Sequence, residues 1–182
     1  MDRYLTEFVG TFFLVFTIGC SVLVGTPMAP LAIGASLMVM VYMGGHISGA
    51  HYNPAVSLAT FLRGKLGLQD MGLYWVVQLV GAAVGAVTVL YLRGNPALEG
   101  VSPAVLPALV AEFLFTFGLC YVVLTVTTAR GTEGNSYLGI AIGMTVMAGA
   151  YAVGTISGAA FTPAVAFGLS IMGLFDWASI WI

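Results

Sequence analysis

The sequence contains one eleven-residue motif twice, with the copies about 109 positions apart. Residues 46–56 read HISGAHYNPAV, and residues 155–165 read TISGAAFTPAV. In each copy a good helix N-cap residue, Asn53 or Thr162, comes directly before a proline, which suits the first helical position. An apolar run follows each proline. The motif therefore predicts two matched short helices, each with unpaired backbone N–H groups at its start.

The composition indicates a membrane protein. The 182 residues are 60% hydrophobic and 7% charged, whereas about 25% charged residues is usual in soluble domains. The net charge of −2 and five scattered basic residues provide no patch for nucleic acid. Cys20 and Cys120 lie within apolar runs, so we interpret them as packed thiols rather than a disulfide or a metal site.

Five apolar runs are long enough to cross a bilayer core of about 30 Å, which needs roughly 20 residues. We predict spans at residues 4–24, 29–45, 71–92, 105–129 and 137–154. The two short runs, Pro54–Leu62 and Pro163–Ile171, would reach only about half a membrane at 1.5 Å per residue. We therefore expect both short helices to enter and leave the bilayer on one side, with their irregular backbone buried or facing water.

The repeat extends beyond the motif and predicts an inverted arrangement. Residues 32–34 match residues 141–143 at the same spacing, and residues 7–8 match residues 112–113 about 105 positions later. Because each repeat holds an odd number of full spans, the second copy must be inverted in the membrane. The two short helices then enter from opposite faces, and their N-termini meet near the midplane.

The predicted fold class is an all-α membrane protein with a single domain over residues 1–182. The first repeat covers about residues 1–92 and the second about residues 105–182. The second repeat is incomplete, because a sixth span should begin at residues 177–182, where the sequence stops. We expect a fragment of a longer gene product, and a truncated form that does not conduct is the alternative.

Basic residues predict the orientation. With a cytoplasmic N-terminus, Arg3, Arg63, Lys65 and Arg130 fall inside and Arg93 falls outside, as the positive-inside rule requires.

The motifs carry a family resemblance over residues 5–181. The chain resembles an aquaporin of the major intrinsic protein family. The resemblance rests on these features: Glu7, residues 49–56, Gln78, Glu112 and the second Pro-Ala-Val at residues 163–165. It implies a channel rather than an enzyme, without a cofactor. It also implies a homotetramer that is embedded in the lipid bilayer of the plasma membrane.

The resemblance also implies three groups of pore residues. The caps of the half-helices are Asn53, Pro54, Ala55, Thr162, Pro163 and Ala164. The backbone that lines the pore is Gly49, Ala50, His51, Tyr52, Gly158, Ala160 and Phe161. The selectivity filter is Ile33, Ala150, Ala159 and Val165.

The chain departs from the family pattern at the pore itself. Thr162 replaces the usual asparagine and offers one donor hydrogen instead of two. By the same resemblance, Val165 replaces the usual arginine. Ala150 occupies a position that is similar among water-selective members, which have histidine there. We therefore expect a filter that is wider and less polar than that of a strict water channel. The positive tips of the two half-helices would remain as the main barrier to cations.

Two carboxyl groups lie inside apolar spans, a costly placement that usually marks function. Glu7 and Glu112 either relay protons or accept hydrogen bonds from the N–H groups of the re-entrant segments. Their matched positions favour the second role, and we expect Gln78 to brace the same backbone. For His46 and His51 a pH-sensitive gate and a packing role both stay open. Two histidines without a third ligand predict no metal site.

Three functions remain as hypotheses. The first is a passive channel for small neutral solutes, with water, glycerol-like polyols, ammonia and metalloid hydroxides as candidates. The second is a secondary transporter, because inverted repeats with broken helices also build those. The third is a non-conducting remnant. An enzyme is not expected, since the sequence contains no nucleophile–base pair, phosphate loop or metal cluster.

Overall fold

The structure is a computed structural model that describes residues 2–96, 100 and 102–182. Within these residues the chain forms seven α-helices in the order that the repeat predicts. They are α1 Arg3–Val22, α2 Ala29–Ser48, α3 Pro54–Leu62, α4 Leu68–Arg93, α5 Val105–Thr128, α6 Leu138–Ser157 and α7 Pro163–Ile171. Two 3-10 turns, Arg130–Thr132 and Trp177–Ser179, follow α5 and α7.

The five predicted spans are confirmed as α1, α2, α4, α5 and α6, which are long and apolar enough to cross a membrane. Both half-helices, α3 and α7, begin and end at the predicted residues. Each starts at its proline because the preceding Asn53 or Thr162 has an extended backbone and caps the first turn. The all-α fold class is therefore correct.

The predicted span ends were wrong at several places. Helices α2 and α6 continue past residues 45 and 154 to Ser48 and Ser157. They end there because Gly49 and Gly158 adopt left-handed φ values of 88° and 87°, which an L residue with a side chain rarely adopts. Apolar run length alone does not reveal such a stop.

Other bounds shift for similar reasons. Helix α1 ends at Val22, two residues before the predicted end, in a turn where Gly25 has a φ of 69°. Helix α4 starts at Leu68 instead of residue 71 and runs to Arg93, because Gly67 is an extended N-cap and Gly94 a left-handed C-cap. Helix α5 ends at Thr128, one residue before its predicted end.

The two repeats meet where α2 crosses α6. Gly34 and Gly143 face each other at this crossing, and they occupy equivalent positions in the two repeats. A Cβ added to Gly34 would lie 2.7 Å from the carbonyl oxygen of Gly143, and one added to Gly143 would overlap the carbonyl oxygen of Gly34. Backbone therefore touches backbone here, as in other membrane helix pairs with small interface residues.

Each half-helix packs against spans that include the other repeat. Helix α7 contacts α1 and α4 of the first repeat, and α3 contacts α4 of its own repeat and α5 of the second. Within the first repeat, Gly81 of α4 lies so close to α1 that an added Cβ would be 2.6 Å from the carbonyl oxygen of Phe8. Each short helix thus packs against spans of both repeats or of the other repeat on one side, while Leu58, Leu62 and Pro163 stay exposed beside the groove on α5.

The covered face of α1 has an open counterpart on α5. Phe8, Phe12 and Phe16 stack along α1 and are half-buried beside α4. The equivalent residues of α5 also stack, and all three are strongly exposed: Phe113, Phe117 and Tyr121. Phe113 and Phe117 border a groove of about 680 Å³. Where a sixth span was expected, the described residues form the 3-10 turn Trp177–Ser179, capped by the side chain of Asp176.

The basic residues separate to two ends of the bundle. Arg3 pairs with Asp70 at 2.8 Å, which joins the starts of α1 and α4. Arg63, after α3, lies 3.5 Å from the hydroxyl of Thr128 at the end of α5. At the opposite end, Arg93 donates to the carbonyl oxygen of Cys20 in the last turns of α1. Arg3 and Arg63 thus lie at one end of the bundle and Arg93 lies at the other.

A substitution at the crossing of α2 and α6 tests the packing. We expect Gly143→Ala to lower the free energy of unfolding by about 1–3 kcal/mol, because the new Cβ meets backbone that has nowhere to move. The matched control is Gly72→Ala on α4, where an added Cβ meets nothing within 4 Å. That change should be neutral or raise helix stability by up to about 1 kcal/mol. Thermal unfolding in detergent compares the two, and equal midpoints would contradict the close crossing.

Candidate functional site

Two short loops connect α2 to α3 and α6 to α7, and both have the same unusual backbone. In the first loop Gly49, Ala50 and Tyr52 have φ values of 88°, 51° and 49°. In the second loop Gly158, Ala159 and Phe161 have values of 87°, 53° and 52°. Non-glycine residues in this left-handed region cost roughly 1–2 kcal/mol each. Such strain persists only where the surroundings impose it, and it concentrates at functional sites.

The first loop is held by the carboxylate of Glu7, which is fully buried in α1. Its Oε1 accepts from the Ser48 hydroxyl at 2.6 Å and the His51 N–H at 2.9 Å. Its Oε2 accepts from the Tyr52 N–H at 2.7 Å and from the Gln78 amide at 2.9 Å. All four partners donate, which suits an ionised carboxylate.

The second loop has the same arrangement around Glu112 of α5. The Ser157 hydroxyl donates to Oε1 at 2.6 Å, and the Ala160 N–H donates to it at 3.1 Å. The Phe161 N–H donates to Oε2 at 2.7 Å. Among the described residues, no side-chain amide donates to Glu112 as that of Gln78 donates to Glu7. Glu112 instead borders the open groove on α5.

Aromatic side chains anchor both loops in the helix bundle. The ring of Tyr52 lies against Gly10 and Gly44 so closely that an added Cβ would overlap it at either glycine. The ring of Phe161 lies against Gly149 in the same manner, since a Cβ there would be 2.6 Å away. These two aromatic side chains thus pack into the bundle and anchor the strained backbone of each loop.

The tips of the two half-helices meet. The Asn53 side chain accepts the N–H of Ala55 at 2.8 Å, and the Thr162 hydroxyl accepts the N–H of Ala164 at 3.3 Å. The Asn53 amide also donates to the carbonyl oxygen of Phe161 at 3.0 Å, next to Thr162. The caps therefore satisfy their own helices and link the two repeats directly.

A cavity of about 250 Å³ passes these tips. Its lining includes all four residues assigned to the filter: Ile33, Ala150, Ala159 and Val165. It also includes most of the other expected pore residues: His51, Tyr52, Asn53, Gly158, Ala160, Phe161 and Thr162. The expected residues that do not line the cavity are Gly49, Ala50, Pro54, Ala55, Pro163 and Ala164. None of its described lining residues is Lys, Arg, Asp or Glu.

Sequence reasoning missed the largest part of the lining, which comes from the long helices. Four equivalent pairs of apolar side chains contribute: Leu14 with Leu119, Ile18 with Val123, Ile33 with Ile142, and Leu37 with Val146. Only Ile33 was identified from the sequence. The repeat itself was the signal that would have found the others, because each pair is separated by the same 105 or 109 positions that align the two halves.

Phe175 was missed as well. Its ring lies over Gly158, where an added Cβ would overlap it, and it contributes to the cavity lining. Of the two residues left as a gate or packing residues, His46 is exposed at the end of α2 and His51 lies at the cavity.

Comparisons with known proteins agree with this architecture. The family model described as "Major intrinsic protein" matches residues 1–182. The putative aquaporin NIP4-1 of Arabidopsis thaliana is 37% identical over 195 residues, which cover 100% of this chain and 68% of that protein. Aquaporin NIP1-1 of Oryza sativa subsp. japonica is 34% identical over 197 residues, with coverage of 100% and 68%.

A solved structure has the same fold. An aquaglyceroporin from Plasmodium falciparum superposes with a TM-score of 0.82 and 24% sequence identity, and the match covers 94% of this chain and 80% of that one. With the family match over the whole chain, these relatives show that the chain is a multi-pass integral membrane protein that belongs to the major intrinsic protein family of channels.

Proposed function

We propose that the protein conducts small uncharged solutes passively through the cavity between the two half-helix tips. The observation that carries this proposal is the direct contact of the tips, Asn53 with Phe161, beside an apolar cavity without a charged lining residue among those described. Each helix N-terminus presents roughly half a positive charge at this point. A cation would meet repulsion there, and the apolar walls would not replace its hydration shell.

We propose that the filter admits solutes larger than water as well as water itself. We assign it to Ile33, Ala150, Ala159 and Val165, which are all apolar and border the same cavity. With neither an arginine nor a histidine among them, the lumen has room for a polyol or a metalloid hydroxide. Carbonyl oxygens of the two strained loops are the acceptors that would order hydroxyl groups in transit. We therefore propose glycerol-like polyols, ammonia and metalloid hydroxides as cargo beside water.

The setting of the channel is also a proposal. We place the N-terminus in the cytoplasm, because Arg3 and Arg63 lie at the same end of the bundle. We expect the channel in the cell membrane as a homotetramer in which every subunit carries its own pore.

Flux measurements on the full-length protein in liposomes test the channel function. Stopped-flow light scattering would compare water, glycerol, urea, ammonia and arsenite. We expect rates that rise linearly with solute concentration and do not depend on a proton gradient. Saturation at low concentration, or a requirement for the gradient, would identify a secondary transporter. Rates equal to those of empty liposomes for every solute would identify a non-conducting protein.

A substitution at Val165 tests the filter. Val165 is 2% exposed and lies at the start of α7. We expect Val165→Arg to narrow the outer mouth and to reduce glycerol flux at least tenfold, a barrier of about 1.4 kcal/mol, with a smaller loss for water. Val165→Leu, which adds bulk without charge, is the control and should have an intermediate effect. An equal loss for every solute would show that Val165 sets no size limit.

We further propose that Glu7 and Glu112 brace the pore loops and do not relay protons. Glu7→Gln would turn one acceptor toward backbone N–H groups as a donor, and a buried unsatisfied group costs about 1–3 kcal/mol. We expect a lower unfolding midpoint and lower flux for both Glu7→Gln and Glu112→Gln. Glu133→Gln in the exposed loop after α5 is the control. A variant with normal stability and flux that had lost only proton-coupled transport would support the relay.

A further inference from the structure

The cavity contains one ring with a free polar edge, the imidazole of His51. Its Nδ1 lies 3.0 Å from the hydroxyl of Ser57 on α3. The ring of Tyr74 meets it edge to face at 5.2 Å and fixes its plane. Among the described residues Nε2 has no hydrogen-bond partner. It is nevertheless not fully buried, so it remains open to a partner from the cavity. Because His51 lines the cavity, Nε2 is the atom that a solute can reach.

Hydrogen counting around Ser57 decides which nitrogen of His51 carries the proton. The Gln78 amide donates to Glu7 at 2.9 Å and to the Ser57 hydroxyl oxygen at 3.1 Å. The reverse orientation of this amide would place its oxygen against the Glu7 carboxylate, so the present orientation is favoured although it leaves Gln78 Oε1 buried without a partner among the described residues. Both donor hydrogens of Gln78 are therefore used, and Ser57 must accept one of them.

The remaining hydrogen belongs to the Ser57 hydroxyl, which has two acceptors within reach. It can donate to the carbonyl oxygen of Asn53 at 3.1 Å or to Nδ1 of His51 at 3.0 Å. If it donates to Asn53, Nδ1 carries its own hydrogen and donates to Ser57, so all the contacts are hydrogen bonds. If it donates to Nδ1, the Ser57 oxygen faces the carbonyl oxygen of Asn53 without a hydrogen between them, and that hydrogen bond is lost. The first arrangement makes one more hydrogen bond and is favoured by roughly fivefold.

This network is not part of the repeated frame. The positions equivalent to His51 and Ser57 in the second repeat are Ala160 and Ala166. The second loop nevertheless has the same backbone conformation and the same carboxylate contacts. Loop construction therefore does not require the contact between His51 and Ser57, which only the first repeat can form.

We propose that Gln78 and Ser57 are positioning residues that hold His51 with its proton on Nδ1, so that Nε2 accepts a hydrogen bond from solute in the cavity. The inference deepens the proposed channel, because the solute must reach Nε2 along that path. It makes the imidazole one more acceptor beside the donor amide of Asn53. A passing O–H or N–H group then finds an acceptor immediately inside the half-helix tips.

Nitrogen-15 NMR of the full-length protein in lipid bilayers tests the proposal. The chain has two histidines, so His46→Gln leaves His51 as the only labelled imidazole. We expect a protonated Nδ1 and a bare Nε2, with magnetisation transfer from water to Nε2. Ser57→Ala should shift the ratio of tautomers toward protonated Nε2 by roughly fivefold, the equivalent of one neutral hydrogen bond. Ser57→Thr keeps the hydroxyl and should retain the original ratio.

Three results would overturn the proposal. They are a wild-type spectrum with the proton mainly on Nε2, an unchanged ratio in Ser57→Ala, and a bare Nε2 without contact to water. Ser57→Ala removes a single oxygen, and the wild-type spectrum decides the assignment even if that variant does not fold. Failure of the flux assay leaves these spectra as predicted, so the two proposals fail separately.

Discussion

The structure depends on how backbone N–H groups are satisfied at membrane depth. Two loops must interrupt helical backbone inside the bilayer, where an unsatisfied polar group costs several kcal/mol. Glu7 and Glu112 each accept two loop N–H groups and one serine hydroxyl, and each reaches its loop from a neighbouring span. These contacts are the basis for the proposed role of both carboxylates in bracing the loops that lead to the half-helices.

The repeat builds the frame, and the departures from the repeat determine its chemistry. Both halves share the loop backbone, the carboxylate contacts and the paired apolar walls. They differ at the cavity, because the position of Asn53 in the first repeat is Thr162 in the second, and the position of His51 is Ala160. The path is therefore symmetric in shape and asymmetric in hydrogen bonding. The α2–α6 crossing keeps the shape, because Gly34 and Gly143 leave the two backbones no space between them.

The sequence was sufficient for the parts governed by local chemistry. A cap followed by proline predicted both half-helices to the residue, and apolar length predicted all five spans. Span ends were missed where one glycine stops a helix in an apolar run, as at Gly49. Gly49 and Ala50 were expected at the cavity and do not line it, because the direction of each peptide follows from left-handed backbone angles that sequence does not report. Whether a side chain such as Leu119 lines the cavity depends on how helices distant in sequence pack, although the repeat spacing indicated it as the equivalent of Leu14.

The same carboxylates also explain why the pore backbone can remain strained. In the first loop Ala50 and Tyr52 are left-handed, at roughly 1–2 kcal/mol each. The loop's N–H groups make two hydrogen bonds to Glu7, and a bond to a charged group contributes about 1.5–3 kcal/mol. The two contributions are of similar size, so the carboxylate offsets the strain with little excess. Relaxing the loop would break both hydrogen bonds, so the carboxylate holds the backbone of the first loop in its left-handed conformation.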